Sequence, residues 1–173
     1  MNIKGQSFVF IKPDGVRRNL TGEIIGRFEK AGLKITRLEM TEVEDDVINK
    51  HYPLNNYDYV LTLGHVDVSN FTEEEKKARY DKNYRIIKNL QDYVTSGPIV
   101  KMIISGPENT VELVRGIVGK TDPAASAKGT IRGDLGEDSF EQSDKEGRAV
   151  YNLIHASGSS EEAEEEIYLW FKE

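Results

Sequence analysis

The 173-residue sequence predicts an α+β fold: a four-stranded antiparallel sheet built from two split βαβ units, with helices packed on one face. Three observations predict it. Four strand-like runs recur near residues 7–11, 33–42, 99–104 and 150–154. Segments with apolar residues at helical spacing separate them. No internal repeat, low-complexity tract or linker breaks the alternation, so residues 1–173 read as a single domain.

Each element has a local reason. Ser7-Phe8-Val9-Phe10-Ile11 is a short apolar run ended by Pro13-Asp14-Gly15, a buried strand followed by a turn. Thr21 caps a helix over about 22–31, with Ile24, Ile25 and Phe28 inward and Gly32 as its stop. A strand near 33–42 follows, then a short helix from Glu44 to Tyr52. Residues 53–71 show no clear period. Thr72-Glu73-Glu74-Glu75 opens a helix that runs to Val94. Ile99 to Ile104 is the third strand, and Pro107 to Val118 a helix with proline in its first turn and Gly119 at its end. Lys120 to Ala149 reads as a long loop, of a length that is usually functional inside a compact domain. Val150 to Ile154 is the fourth strand, and Ser159 with Glu162 caps the final helix. The order is that of the ferredoxin-like architecture, which by itself says nothing of chemistry.

Composition narrows the function classes. At 38% hydrophobic and 31% charged residues the chain is an ordinary globular protein. No apolar run approaches the roughly 20 residues of a membrane span, and Met1 to Ser7 lacks a signal peptide's apolar core. The absence of cysteine excludes disulfides and thiolate chemistry. A cytoplasmic enzyme is the simplest expectation. A net charge of −7 argues against a broad nucleic-acid surface, though a few converging cations can still hold a small polyanion.

Three histidines are available. His51 and His65 lack chemical context and read as surface or structural residues. His155 ends a strand and precedes the small-residue turn Ala156-Ser157-Gly158-Ser159. On the last helix Ala163, Glu166, Ile167 and Trp170 share one face, which must look inward. A carboxylate on that face is costly without a partner, and His155 is the partner at hand. A carboxylate on one imidazole nitrogen fixes the tautomer and leaves the other free to attack. The alternative is that Glu166 snorkels at the edge of the stripe. Lys12, Arg115 and Arg132 lie at a strand end, in a helix and in the long loop. Such cations suit phosphoryl transfer, which needs positioned positive charge, but they are also three among 23 basic residues. Walker A, protein-kinase and two-histidine metal patterns are absent.

Taken in order, Phe10-Ile11-Lys12-Pro13-Asp14-Gly15-Val16, His51-Tyr52, Ser96-Gly97-Pro98-Ile99-Val100, Gly119-Lys120-Thr121-Asp122-Pro123-Ala124, Gly129-Thr130-Ile131-Arg132-Gly133-Asp134 and Asn152-Leu153-Ile154-His155-Ala156-Ser157 resemble the nucleoside diphosphate kinase family over nearly the whole chain. The resemblance implies a ping-pong transfer of the γ-phosphate from a nucleoside triphosphate to a nucleoside diphosphate through phosphohistidine on His155. Lys12 would neutralise the transferring group. Arg115, Thr121 and Arg132 would bind phosphates, Asn152 the ribose, and Tyr52 would line the site. Ser157 and Glu166 would support the histidine. Mg²⁺ would arrive on the nucleotide phosphates rather than in a protein metal cage. A homo-oligomer, tetramer or hexamer, is expected, with neither a membrane nor a nucleic-acid partner.

Three features depart from the family pattern. Tyr52 and Ser96 stand 44 positions apart, an insertion near 55–82 where the family keeps its base-stacking aromatic; Tyr57, Tyr59, Tyr84 and Ile86 are candidates to replace it. A second insertion near 137–148 is acidic and polar, and reads as a disordered bulge in preference to a lid. The turn after His155 has Gly158 where an aspartate is usual, which should loosen it. The insertions keep two other readings open: a non-catalytic nucleotide-binding relative, and a histidine-phosphorylated signalling carrier.

Overall fold

The computed structural model describes residues 5–172. Strands β1 (Gln6–Ile11), β2 (Lys34–Thr41), β3 (Ile99–Ser105) and β4 (Ile154–Ala156) form one sheet in the order β2-β3-β1-β4, every pair antiparallel. Nine helices lie among the described residues: α1 (Pro13–Arg17), α2 (Thr21–Lys30), α3 (Asp45–His51), α4 (Tyr57–Leu61), α5 (Glu73–Val94), α6 (Thr110–Val118), α7 (Ile131–Leu135), α8 (Phe140–Glu146) and α9 (Ser160–Phe171). This is the ferredoxin-like sheet that the element order predicts.

Helices cover both faces of the sheet, not one. The central strand β1 shows why. Val9 and Ile11 enter a core with Ile24 and Phe28 of α2 and Val114 and Val118 of α6. Phe8 and Phe10, pointing the other way, enter a second core with Val47 and Ile48 of α3 and Ile167, Trp170 and Phe171 of α9. An unbroken apolar strand is the mark of a sheet buried on both sides.

Other boundaries differ from the sequence reading. Pro13-Asp14-Gly15 opens the short helix α1, with proline at its first turn. The fourth strand begins at Ile154, where the run Val150–Ile154 was expected to end, because Asn152-Leu153-Ile154 is a tight turn. The long loop contains a 3-10 turn (Pro123–Ala125), α7 and α8. The segment without a period contains α4. Carbonyls at and just beyond the C-terminus of α4 are capped from α5: Arg79 donates to Leu61 O (2.8 Å) and Leu63 O (2.7 Å), and Asn83 to Val60 O (2.8 Å). No residue of 55–82 or 137–148 belongs to either core.

Candidate active site

The site is built on the turn that precedes β4. Leu153 has φ +69°, and the Ile154 N–H reaches back to Asn152 O at 2.8 Å, a strained three-residue turn. Most of its other polar main-chain groups are held from outside. Lys12 N donates to Leu153 O (2.8 Å), and Leu153 N to Asp14 Oδ2 (3.2 Å). Arg132 spans the turn, with Nε on Asn152 O (3.0 Å) and Nη2 on Ile154 O (2.5 Å), while Nη1 reaches Gly119 O (3.1 Å). Gly15 is required by the same contact, since a Cβ there would lie 2.7 Å from Ile11 Cγ2 and 3.2 Å from Leu153 O.

Arg132 therefore spends three of its five N–H donors on main-chain carbonyls, and two remain for a ligand. Arg132→Lys, which keeps the charge and loses the fork, should cost on the order of 2–4 kcal/mol of stability through lost charge-assisted bonds. A thermal melt without nucleotide checks this. A loss under about 1 kcal/mol would mean that the turn holds itself.

The turn brings Asn152 to Lys12 and leads into His155. Asn152 accepts from Lys12 Nζ through Oδ1 (2.8 Å) and donates through Nδ2 to Thr121 O (2.9 Å). Lys12 is buried, 5.2 Å from the centre of the Tyr93 ring, and Tyr93 in turn hydrogen-bonds Asp14. Burial first, and then the neighbouring Arg132 charge, lower Lys12 to about 7, against the pull of Asp14.

His155 pairs with Phe10 across the sheet, its ring stacked on Phe10 at 4.9 Å, and so faces α9. There its Nε2 meets Glu166 Oε1 at 2.6 Å. The Ser157 hydroxyl donates to Glu166 Oε2 at 2.6 Å and accepts from Phe8 N at 3.1 Å. Ala163, Glu166, Ile167 and Trp170 are all buried, as the helical face requires. Burial raises Glu166 to about 7, opposed by His51 and by the Ser157 hydrogen bond. Burial first, then the Lys12 charge, hold His155 well below the ordinary histidine range. A neutral imidazole that gives its Nε2–H to the carboxylate leaves its Nδ1 lone pair open.

His51 belongs to this group, contrary to the sequence reading. Its Nδ1 accepts from Trp170 Nε1 (3.2 Å) and lies 3.4 Å from Glu166 Oε1, and its ring meets that of His155 edge-on at 4.8 Å. Burial keeps it neutral, lowered to about 3. The signal was present in α3: His51 stands one turn after Val47 and Ile48, on the face that packs inward. Asp14 and Tyr93 were likewise overlooked as site supports.

His51, His155 and Glu166 have donor atoms close enough to hold a metal ion. The 2.6 Å contact between Nε2 and Oε1 is a hydrogen-bond length and leaves no room for an ion between them. Nor is the turn after His155 loose. Glu162 Oε2 accepts from Gly158 N at 2.9 Å and sits 2.6 Å from where a Cβ on Gly158 would be. The Glu162 carboxylate thus tethers the turn at Gly158.

Lys12, Tyr52, Arg115, Thr121, Arg132, Asn152 and His155 all line one cavity of about 1020 Å³. Ser157 and Glu166 stand behind His155. Arg115 and Thr121 are exposed at the cavity wall. Seven cations and one carboxylate, Asp144, contribute to the walls, although the chain as a whole is acidic. A neutral nucleophile under converging positive charge is suited to a phosphoryl group.

Comparison with known proteins agrees. The family profile described as nucleoside diphosphate kinase matches residues 5–61 and 58–173. The nucleoside diphosphate kinase of Pyrobaculum aerophilum is 43% identical over 97% of this chain and 95% of its own, and that of Pyrococcus furiosus 41% identical over 99% and 86%. In structure, an NDP kinase from Pyrobaculum aerophilum superposes with a TM-score of 0.82 at 38% identity, covering 98% of this chain and 96% of that one. A transition-state mimic of the Borrelia burgdorferi nucleoside-diphosphate kinase with bound vanadate and ADP gives 0.77 at 32% identity, over 97% and 87%. With the geometry of the site and these likenesses together, the chain belongs to the nucleoside diphosphate kinase family.

Proposed function

We propose that this kinase moves phosphate between nucleotides by a ping-pong cycle through His155. The observation that carries the reading is the His155 ring, held through Nε2 by Glu166 at 2.6 Å and opening on the cationic cavity. The Nδ1 lone pair attacks the γ-phosphorus, the bond to the bridging oxygen breaks, and the nucleoside diphosphate leaves with that electron pair. A second diphosphate then attacks through a β-phosphate oxygen. The P–N bond breaks and its electrons return to Nδ1. Lys12, Arg115 and Arg132 offset charge on the phosphate oxygens, Thr121 closes on the phosphates, and Asn152 faces the ribose. Tyr52 lines the wall beside them.

Mg²⁺ fits this site as a companion of the substrate. It prefers oxygen ligands in an octahedron, and the cavity wall offers a single carboxylate, so phosphate and water oxygens must supply most of its shell. Bound there, it would neutralise charge on the β- and γ-phosphates.

The test incubates the protein with ATP and Mg²⁺, removes nucleotide and weighs the intact chain. One acid-labile phosphate that leaves to GDP as GTP supports the cycle. Phosphate that forms and stays would replace it with the carrier reading, and no phosphate on a folded, ATP-binding chain with the non-catalytic one. Glu166→Ala should lower kcat by about 10²-fold with KM little changed, since it frees the ring without removing the nucleophile. An unchanged kcat would show that Glu166 does not orient His155.

A homo-oligomer goes with this reading. Edge strand β2 leaves Leu38 and Met40 exposed, an apolar edge that a second copy would cover. Light scattering on the purified chain gives the subunit count and so decides between tetramer and hexamer; a monomer would overturn it. A cytoplasmic location goes with the same reading.

A further inference from the structure

We propose that α8, within the segment near 137–148, is the base-contacting wall of the nucleotide site, with Phe140 the surface on which the base lies. This rests on the nucleotide reading above. Lys12, Asn152 and His155 line the cavity, and among its other, largely polar wall residues stand five apolar ones: Ile86 and Leu90 from α5, Phe140 from α8, and Val118 and Ala149. Phe140 is 45% exposed and Ile86 38%, large apolar side chains left open on a concave wall. A nucleotide has one flat apolar part, its base, and the phosphates are drawn to the cations.

Helix α8 is fixed in place, so the disordered bulge expected from its polar sequence is not what forms. Ser139 caps it by accepting from Gln142 N (3.1 Å). Phe140 N donates to Asp122 Oδ1 at 3.3 Å. Asp122 follows Thr121, whose carbonyl accepts from Asn152 Nδ2. Phe140 is therefore linked by two hydrogen bonds and one peptide step to the side chain assigned to the ribose. At the other end Asn89 Nδ2 of α5 donates to Gly147 O at 3.0 Å, which joins the two helical walls. Arg148 is paired with Asp138, and Tyr151 N donates to Asp138 Oδ2 at 2.7 Å. Phe140, Ser143, Asp144 and Gly147 fall at i, i+3, i+4 and i+7, and all four line the cavity. The helix thus shows one continuous face to the ligand.

The experiment measures binding of ADP and of inorganic tripolyphosphate, which lacks a base, to the full chain by calorimetry. Phe140→Ala should weaken ADP about tenfold, the usual scale of base–aromatic stacking, and leave tripolyphosphate within twofold. Phe140→Trp should restore ADP binding. Phe140 lies outside both cores, so the variant should fold; Ile86→Ala, on the facing helix, gives the same contrast if it does not. Unchanged ADP affinity in both variants would overturn the proposal, as would equal weakening of both ligands. A wild-type chain that binds neither ligand would instead overturn the nucleotide reading beneath it.

Discussion

His155→Ala is expected to abolish phosphate transfer, lowering the rate by at least about 10⁴-fold, while ADP still binds within a few-fold of wild type. Removing a nucleophile leaves no covalent path, and the remaining cations can only hold the substrate. The binding half of the expectation follows from geometry. Lys12, Asn152 and Arg132 are held by Thr121, the carbonyls of the strained turn and one another, and none takes its position from the imidazole. Intact mass after ATP treatment and calorimetry with ADP check both halves. Retained phosphorylation would place the nucleophile elsewhere. Lost ADP binding with intact circular dichroism would mean that the ring shapes the cavity as well as reacting in it.

Lys12→Met should lower kcat by about 10²–10³-fold, the usual loss when one positioned charge is taken from a developing anion. A second signature follows from its lowered pKa of about 7. With a pKa of about 7, this lysine should be mostly neutral in the free enzyme at pH 8. Phosphate oxygens brought beside it favour the charged form, so binding draws a proton from solution. Calorimetry in two buffers of different ionisation enthalpy should therefore show an uptake approaching one proton per ADP at pH 8, falling toward zero below pH 6. Lys12→Met should abolish the uptake. Uptake that persists in the variant would assign the proton to another group.

The sheet and most helices were legible because their signals are local. Thr72 and Glu75 announce the start of α5, and both make the reciprocal capping bonds. The pairing of His155 with Glu166 was legible too, since an inward helical face and an adjacent strand end favour it over a carboxylate snorkelling at the edge of the stripe. The second core was not inferred, although Phe8 and Phe10 alternate with Val9 and Ile11 and so imply it. The late start of β4 was hidden because Val150 to Ile154 is a good strand on propensity. Only the distant pull of Arg132, Asp14 and Lys12 bends it into a turn. The same distance hid the double duty of Arg132, which the motif marks for phosphate while the fold also uses it as a clasp. His51 has no chemical neighbours in sequence, yet in space it meets Glu166, His155 and Trp170.

That residues 55–82 and 137–148 stay outside both cores has a consequence for how such a chain can change. Substitutions at their exposed positions reach neither of the two clusters that pack the sheet nor the hydrogen bonds from Arg132, Asp14 and Lys12 that hold the turn. The reaction and the choice of what enters the cavity are therefore inherited separately. A line of descent can redraw the outer wall, lengthen it or discard it, and the same histidine will still be waiting at the end of the same short strand.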